Sequence, residues 1–205
     1  MKAYIAEKVK ADNVLEYSDL LKIMNQKIKD ERQGKNADAK IDKIKLNYQR
    51  YRRINKTYRI SPELYELIAC INVLQTWYVI TEDWCGDSGQ ILPYLDKIVE
   101  LNPKLKLKLL LREENPEIMD RYLTEGKRSI PKVVAVDSQA HELFQWGPRP
   151  GAAQKLFEEN LSTGLSKQQA LDKVHAWYAQ DQGWAIESEL IQILSTILKV
   201  SEDPY

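Results

Sequence analysis

TEDWCGDSGQILP, residues 81–93, decides how this chain is read. It follows TWYVIT (76–81), a short β-branched and aromatic run with the composition of a buried strand. It leads into Ile91, Leu92, Leu95, Ile98 and Val99, which recur at helical spacing. Cys85 therefore stands where a strand hands over to a helix, and the expectation is an exposed sulfur at that junction. The first N–H groups of a helix are unpaired and carry partial positive charge. A thiolate placed there is stabilised, so its pKa falls. In Cys-x-x-Cys proteins a second thiol resolves the mixed disulfide; here the fourth position is Ser88. A serine can donate a hydrogen bond to the Cys85 thiolate but cannot leave with a substrate's sulfur. The turn Cys85-Gly86-Asp87-Ser88 can thus attack a disulfide and cannot release itself.

Working outward, KLKLKLLL (104–111) alternates and then runs apolar, as a strand does. NPEIMDRYL follows, with Asn115 as helix cap and Pro116 at the first helical position. KVVAVD and HELFQW form strands close enough for a hairpin across DSQA, and a helix lies near 151–160. Strand, helix, strand, helix, two strands and a helix make a small α/β layer over residues 72–160. The flanks are helical. Residues 13–30 and about 38–55 are amphipathic, and SPELYELIAC opens with Ser61 as cap and Pro62 behind it. SKQQALDKVHAWYA and ESELIQILSTILKV supply two further helices. The expected organisation is a helical extension over 1–71, the α/β domain over 72–160 and a second extension over 161–205.

Three features coincide around the cysteine: Trp84-Cys85-Gly86, Pro93 eight residues on, and Ser129-Ile130-Pro131. Together they resemble the thioredoxin-like superfamily. LNYQRYRRINKT, WCGDS, LLLREENPEIMDRYL, RSIP and WGPRP are similar to a bacterial thioredoxin family whose members often carry a Trp-Cys-Gly-Asp turn, present here as a monothiol CxxS motif. The resemblance implies a thioredoxin-like α/β fold, a central mixed sheet flanked by helices, with a cis Ile130–Pro131 bond beside the sulfur. It implies that Cys85 is the nucleophile and that Ser88 assists its thiolate. Trp84, Gly86, Asp87, Ile130, Pro131 and Arg149 would line the substrate site. It also marks departures. Val79 stands where thioredoxins bury an Asp, and Leu109 where they place a Lys, so the site lacks both a second thiol and its proton acceptor. The leading expectation is a cytoplasmic monothiol protein that forms mixed disulfides with protein thiols or glutathione. It would need no cofactor beyond glutathione as co-substrate. The alternative is a catalytically silent thioredoxin-fold module that binds a peptide or protein.

Composition narrows the choices. Thirty basic and thirty acidic side chains cancel, which removes any global electrostatic case for nucleic acid or an anionic membrane. Two cysteines exclude a disulfide-rich secreted scaffold. The opening MKAYIAEKVKADN has no apolar core of a leader, and no apolar run is long enough to span a bilayer. Glu82, Asp83 and Asp87 should raise the Cys85 pKa, with Arg128 and Lys132 opposing them. Cys70, in LIACINV, reads as a small core residue, with a distal resolving thiol as the sharper alternative. The basic run over 40–59 reads as a solvated helix face, with nucleic-acid contact as a weaker reading. His141 and His175 have no partner at metal-ligand spacing. Arg149, in WGPRP, belongs either to a rigid turn or to a substrate contact.

Overall fold

A computed structural model describes residues 2–35 and 38–202. Four strands, β1 (Gln75–Thr81), β2 (Leu105–Leu111), β3 (Lys132–Asp137) and β4 (Glu142–Trp146), form one sheet in the order β2-β1-β3-β4. The helices in chain order are α1 (Tyr4–Lys8), α2 (Tyr17–Arg32), α3 (Ile41–Thr57), α4 (Pro62–Ala69), α5 (Gly86–Val99), α6 (Pro116–Arg121), α7 (Gly151–Ser162), α8 (Lys167–Asp181) and α9 (Trp184–Glu202).

β1 runs parallel to β2, and the β3 and β4 pairings are antiparallel. Parallel neighbours need a crossover, and α5 provides it. Alternation along the strands divides the core. Trp77, Val79, Leu107, Leu109, Val133 and Ala135 face the side covered by the larger helices. Ile80, Leu110, Val134 and Val136 face the other side, packed on Ile5, Ile118 and Met119. Val79 and Leu109 are register partners and both fully buried, so the two positions where the resemblance implies an Asp and a Lys hold one apolar pair.

The helix starts have chemical causes. Ser61 accepts from the Leu64 N–H with Pro62 in the first turn. Ser166 and Gln169 make a reciprocal capping box on α8. Asn115 is the N-cap of α6 as expected, with Pro116 behind it, but its side chain makes no capping bond. Its amide instead donates to the Leu111 carbonyl at 2.9 Å, tying the turn to the strand it leaves. The first long helix starts later than its apolar spacing implies, because Leu15 exchanges backbone hydrogen bonds with Leu109 and is held as a bridge on the edge of β2.

The helical flanks pack onto the sheet layer. α3 lies along α5 with α2 against it, α8 touches α5 and α7, and α4 packs on α9. The cysteine-bearing helix is therefore covered by both flanks. Cys70 is corrected by the structure: it is the C-cap of α4 and exposed, because Leu64 and Ile68 occupy the buried stripe. No described helix is long and apolar enough to cross a membrane.

Candidate active site

Cys85 is the N-cap of α5, in extended backbone geometry, and its carbonyl accepts the first helical bond from the Gly89 N–H at 3.0 Å. Its Sγ donates to the Ile130 carbonyl at 3.3 Å, and the Ile130–Pro131 peptide is cis. Ser88 is fully buried behind it and accepts from the Thr81 hydroxyl at 2.8 Å, which leaves the Ser88 proton free for the sulfur. The sulfur is not exposed as the helix junction implies: Cys85 retains 8% of its accessible surface. The sulfur packs in one cluster with Ile118, Tyr122 and Ile130, against Trp84, while Asn47 of α3 holds the backbone of the turn. The Asn47 amide donates to the Asp83 carbonyl at 2.9 Å and to the Cys85 carbonyl at 3.0 Å, clamping the helix over the turn. Burial pushes the Cys85 thiol up, and the Asp87 carboxylate adds to that. The Ser88 hydroxyl and the N–H groups of Ser88 and Asp87 act in the opposite sense.

The three neighbouring carboxylates have separate fates. Glu82 accepts from the Glu113 N–H at 2.8 Å and is pushed up mainly by burial. Asp83 is held by Lys27 at 2.6 Å. Asp87 is the carboxylate that raises the thiol's pKa. It accepts from Arg149 at 2.6 Å and from the Tyr178 hydroxyl at 3.1 Å. That ion pair is buried, with side-chain exposures of 11% for Arg149 and 7% for Asp87. Arg149 thus serves the turn first and the groove second. The basic pair expected to oppose these acids is only half present. Arg128 lines the groove but forms a two-pronged bond to Asp120. Lys132 does not line it; β3 is covered along its length, and burial pushes the ammonium down.

His175 of α8 closes the turn from above. A Cβ on Gly86 would lie 2.6 Å from His175 Nε2, so any larger residue there requires the ring to move. Burial, then the Arg50 charge, pushes His175 down to about 4, so the ring is neutral at neutral pH. Arg50 donates to Asn47 Oδ1 at 3.0 Å. None of Asn47, Arg50, His175 and Tyr178 was expected at this turn: Arg50 belonged to the basic run over 40–59, His175 was weighed as a metal ligand and Tyr178 lay on an apolar stripe. The signal was there for two of them: Asn47 and Tyr178 sit on otherwise apolar helical stripes, with Ile44, Tyr51 and Ile54 on α3 and with Ala170 and Val174 on α8.

A groove of about 920 Å³ opens beside the sulfur. Trp84, Cys85, Gly86, Asp87, Ile130 and Arg149 line it, whereas Ser88 and Pro131 are buried and do not. Lys40 Nζ sits 4.3 Å and Arg112 Cζ 5.1 Å from the centroid of the Trp84 ring. Among the described residues, no group of three or more His, Cys, Asp or Glu is placed to hold a metal ion.

A four-stranded mixed sheet with a cysteine at the start of its crossover helix, facing an Ile-Pro turn, defines a thioredoxin-like protein. The family described as thioredoxin matches residues 34–163, and the chain belongs to it. Over 96 residues, 43% of this chain and 69% of the relative, it is 30% identical to a Streptomyces coelicolor protein named "Putative thioredoxin 2". A crystal structure of a Pseudomonas aeruginosa protein of unknown function superposes with a TM-score of 0.50 at 18% identity, covering 92% of this chain and 98% of that one. An HIV epitope-scaffold superposes with the same TM-score at 17% identity and the same coverage. Both likenesses are of fold, and their reach takes in flanking helices as well as the sheet.

Proposed function

We propose that this protein performs thiol–disulfide exchange through a single thiol, Cys85. One observation carries the reading: the sulfur lies at the N-terminus of α5, in the wall of an open groove, with a hydroxyl rather than a second thiol behind it. At rest the thiol keeps its proton and donates it to the Ile130 carbonyl. An extended substrate that pairs its backbone N–H with that carbonyl displaces the thiol from its acceptor. Loss of the thiol proton to solvent gives the thiolate, which the Ser88 hydroxyl and the first N–H groups of α5 stabilise. The thiolate attacks one sulfur of the substrate disulfide. A bond forms from Cys85 Sγ to that sulfur, the substrate S–S bond breaks, and the departing thiolate takes a proton from solvent. An external low-molecular-weight thiol such as glutathione then attacks the mixed disulfide, carries away the substrate sulfur and returns Cys85. A cycle of this kind fits the reducing cytoplasm.

A second reading has its own support. The buried sulfur and its upward-shifted pKa favour a groove that binds a peptide without turnover. A glutathione-coupled assay on a glutathionylated peptide separates the two. Exchange that rises with pH, persists in Cys70→Ser and disappears in Cys85→Ser supports the monothiol cycle. Equal rates with and without the Cys85 thiol leave the binding module as the function. The Cys70→Ser background matters because that second thiol is exposed.

A further inference from the structure

The chain balances thirty basic against thirty acidic residues, but the rim of the groove does not. Lys43 and Arg50 reach it from α3, Arg112 from beyond β2, Lys127 and Arg128 from the segment before β3, and Lys167 from the start of α8. The acids on its surface are Asp87, already held by Arg149, and Asp172. Arg128 is matched by Asp120, and Arg112 lies 3.8 Å from Glu113 and acts at longer range on Glu82. Lys43, Arg50, Lys127 and Lys167 have no carboxylate partner among the described residues. Two nitrogens in the same wall, Arg149 Nε and His175 Nδ1, are buried without a hydrogen-bond partner. Between the cations the surface is apolar, with Leu46 (47% exposed), Trp84, Ile130, Pro148 and Leu171.

We infer that the occupant of this groove is an acidic polypeptide segment, with Asp or Glu interleaved with apolar side chains around the sulfur that Cys85 meets. The covalent part rests on the exchange reading above; the charge preference does not. Cations arriving from four separate elements around Cys85 suit an extended chain better than one small anion. A nucleic acid fits less well. Trp84, the aromatic on which a base would stack, already carries Lys40 and Arg112 on its ring.

The test uses the full chain as Cys70→Ser/Cys85→Ser, so that binding is read without chemistry. Fluorescent peptides with identical apolar positions carry Glu and Asp, Gln and Asn, or Lys at the polar ones, and anisotropy reports affinity. The acidic peptide should bind at least about tenfold tighter than the neutral one, with the advantage shrinking as salt rises. Charge reversal at the exposed positions, Lys43→Glu/Lys127→Glu/Lys167→Glu, should erase the advantage. Equal binding of acidic and neutral peptides overturns the inference. So does displacement of the acidic peptide by free glutathione or by a single-stranded oligonucleotide at matched concentration. A parallel exchange assay on wild type keeps the two readings apart. Charge-selective binding with no exchange on any disulfide sinks the redox reading alone, whereas exchange with no charge preference in either assay sinks this inference alone.

Discussion

Acid should destabilise this protein in a window set by His175. The ring is mostly covered, and burial together with Arg50 and Arg149 pushes it down to about 4, against the pull of Asp87 and Asp172. In the unfolded chain the same imidazole titrates near about 6.5. Between those values the unfolded chain binds a proton that the native protein does not, so stability falls as pH falls. The His175 contribution is flat above about pH 6.5, declines by up to about 1.4 kcal/mol per pH unit, and totals about 3 kcal/mol by about pH 4. That is a large share of the roughly 5–15 kcal/mol that holds a typical domain. Asp96 works the other way. Burial and Glu100 raise it to about 7, so its contribution is full below the unfolded carboxylate value and lost as pH rises through about 7. Comparing wild type with His175→Gln by urea unfolding, from about pH 7 to about pH 4.5, cancels Asp96 and every other shared group. Wild type should lose about 2–3 kcal/mol more than the variant across that range. Parallel profiles would refute the argument that a neutral, buried imidazole lies over the turn.

Three further outcomes follow from the same contacts. Asp87→Asn removes the like charge beside the sulfur, so alkylation of Cys85 at neutral pH should accelerate, while Arg149, left buried without its partner, should cost on the order of 3–5 kcal/mol in unfolding free energy; an unchanged alkylation rate would contradict the assigned cause. Asn47→Leu removes the donor to two carbonyls of the turn, so stability should fall by about 1–3 kcal/mol and the thiol should become more accessible to iodoacetamide. Gly86→Ala drives a methyl into the His175 ring, so thermal unfolding should show a loss of about 1–3 kcal/mol, and combining it with His175→Ala should recover part of that loss.

The core of the fold was legible because its signals are local. Period-two and helical spacings identify the strands and helices, and the Trp-Cys-Gly turn, Pro93 and Ile130-Pro131 place the cysteine at the β1–α5 junction. Val79 and Leu109, identified separately as departures, prove to be partners across one pair of strands. What local pattern does not show is which distant face covers a site. Asn47 and His175 lie 38 and 90 positions from Cys85, and nothing beside them in the chain states that they will meet the turn. The expectation of an exposed sulfur failed in the same way, because residues distant in the chain, Ile118, Tyr122 and Ile130 among them, pack around Cys85. Cys70 failed for another reason: apolar neighbours made it read as core, but at a helix end the rotation of the last turn decides which way a side chain points. Adjacency to Pro131 suggested a place for Lys132 at the groove, but Lys132 opens β3, where the chain is buried, and it does not line the groove as Ile130 does.

The most direct test of a monothiol site is the lifetime of its covalent intermediate. Cys70→Ser protein is mixed with a disulfide-bearing acidic peptide, and intact mass is followed with time. The account predicts one adduct per chain, carried on Cys85, that persists in the absence of added thiol and is discharged when glutathione is supplied. An adduct that resolves itself without added thiol, or no adduct at alkaline pH, would contradict it.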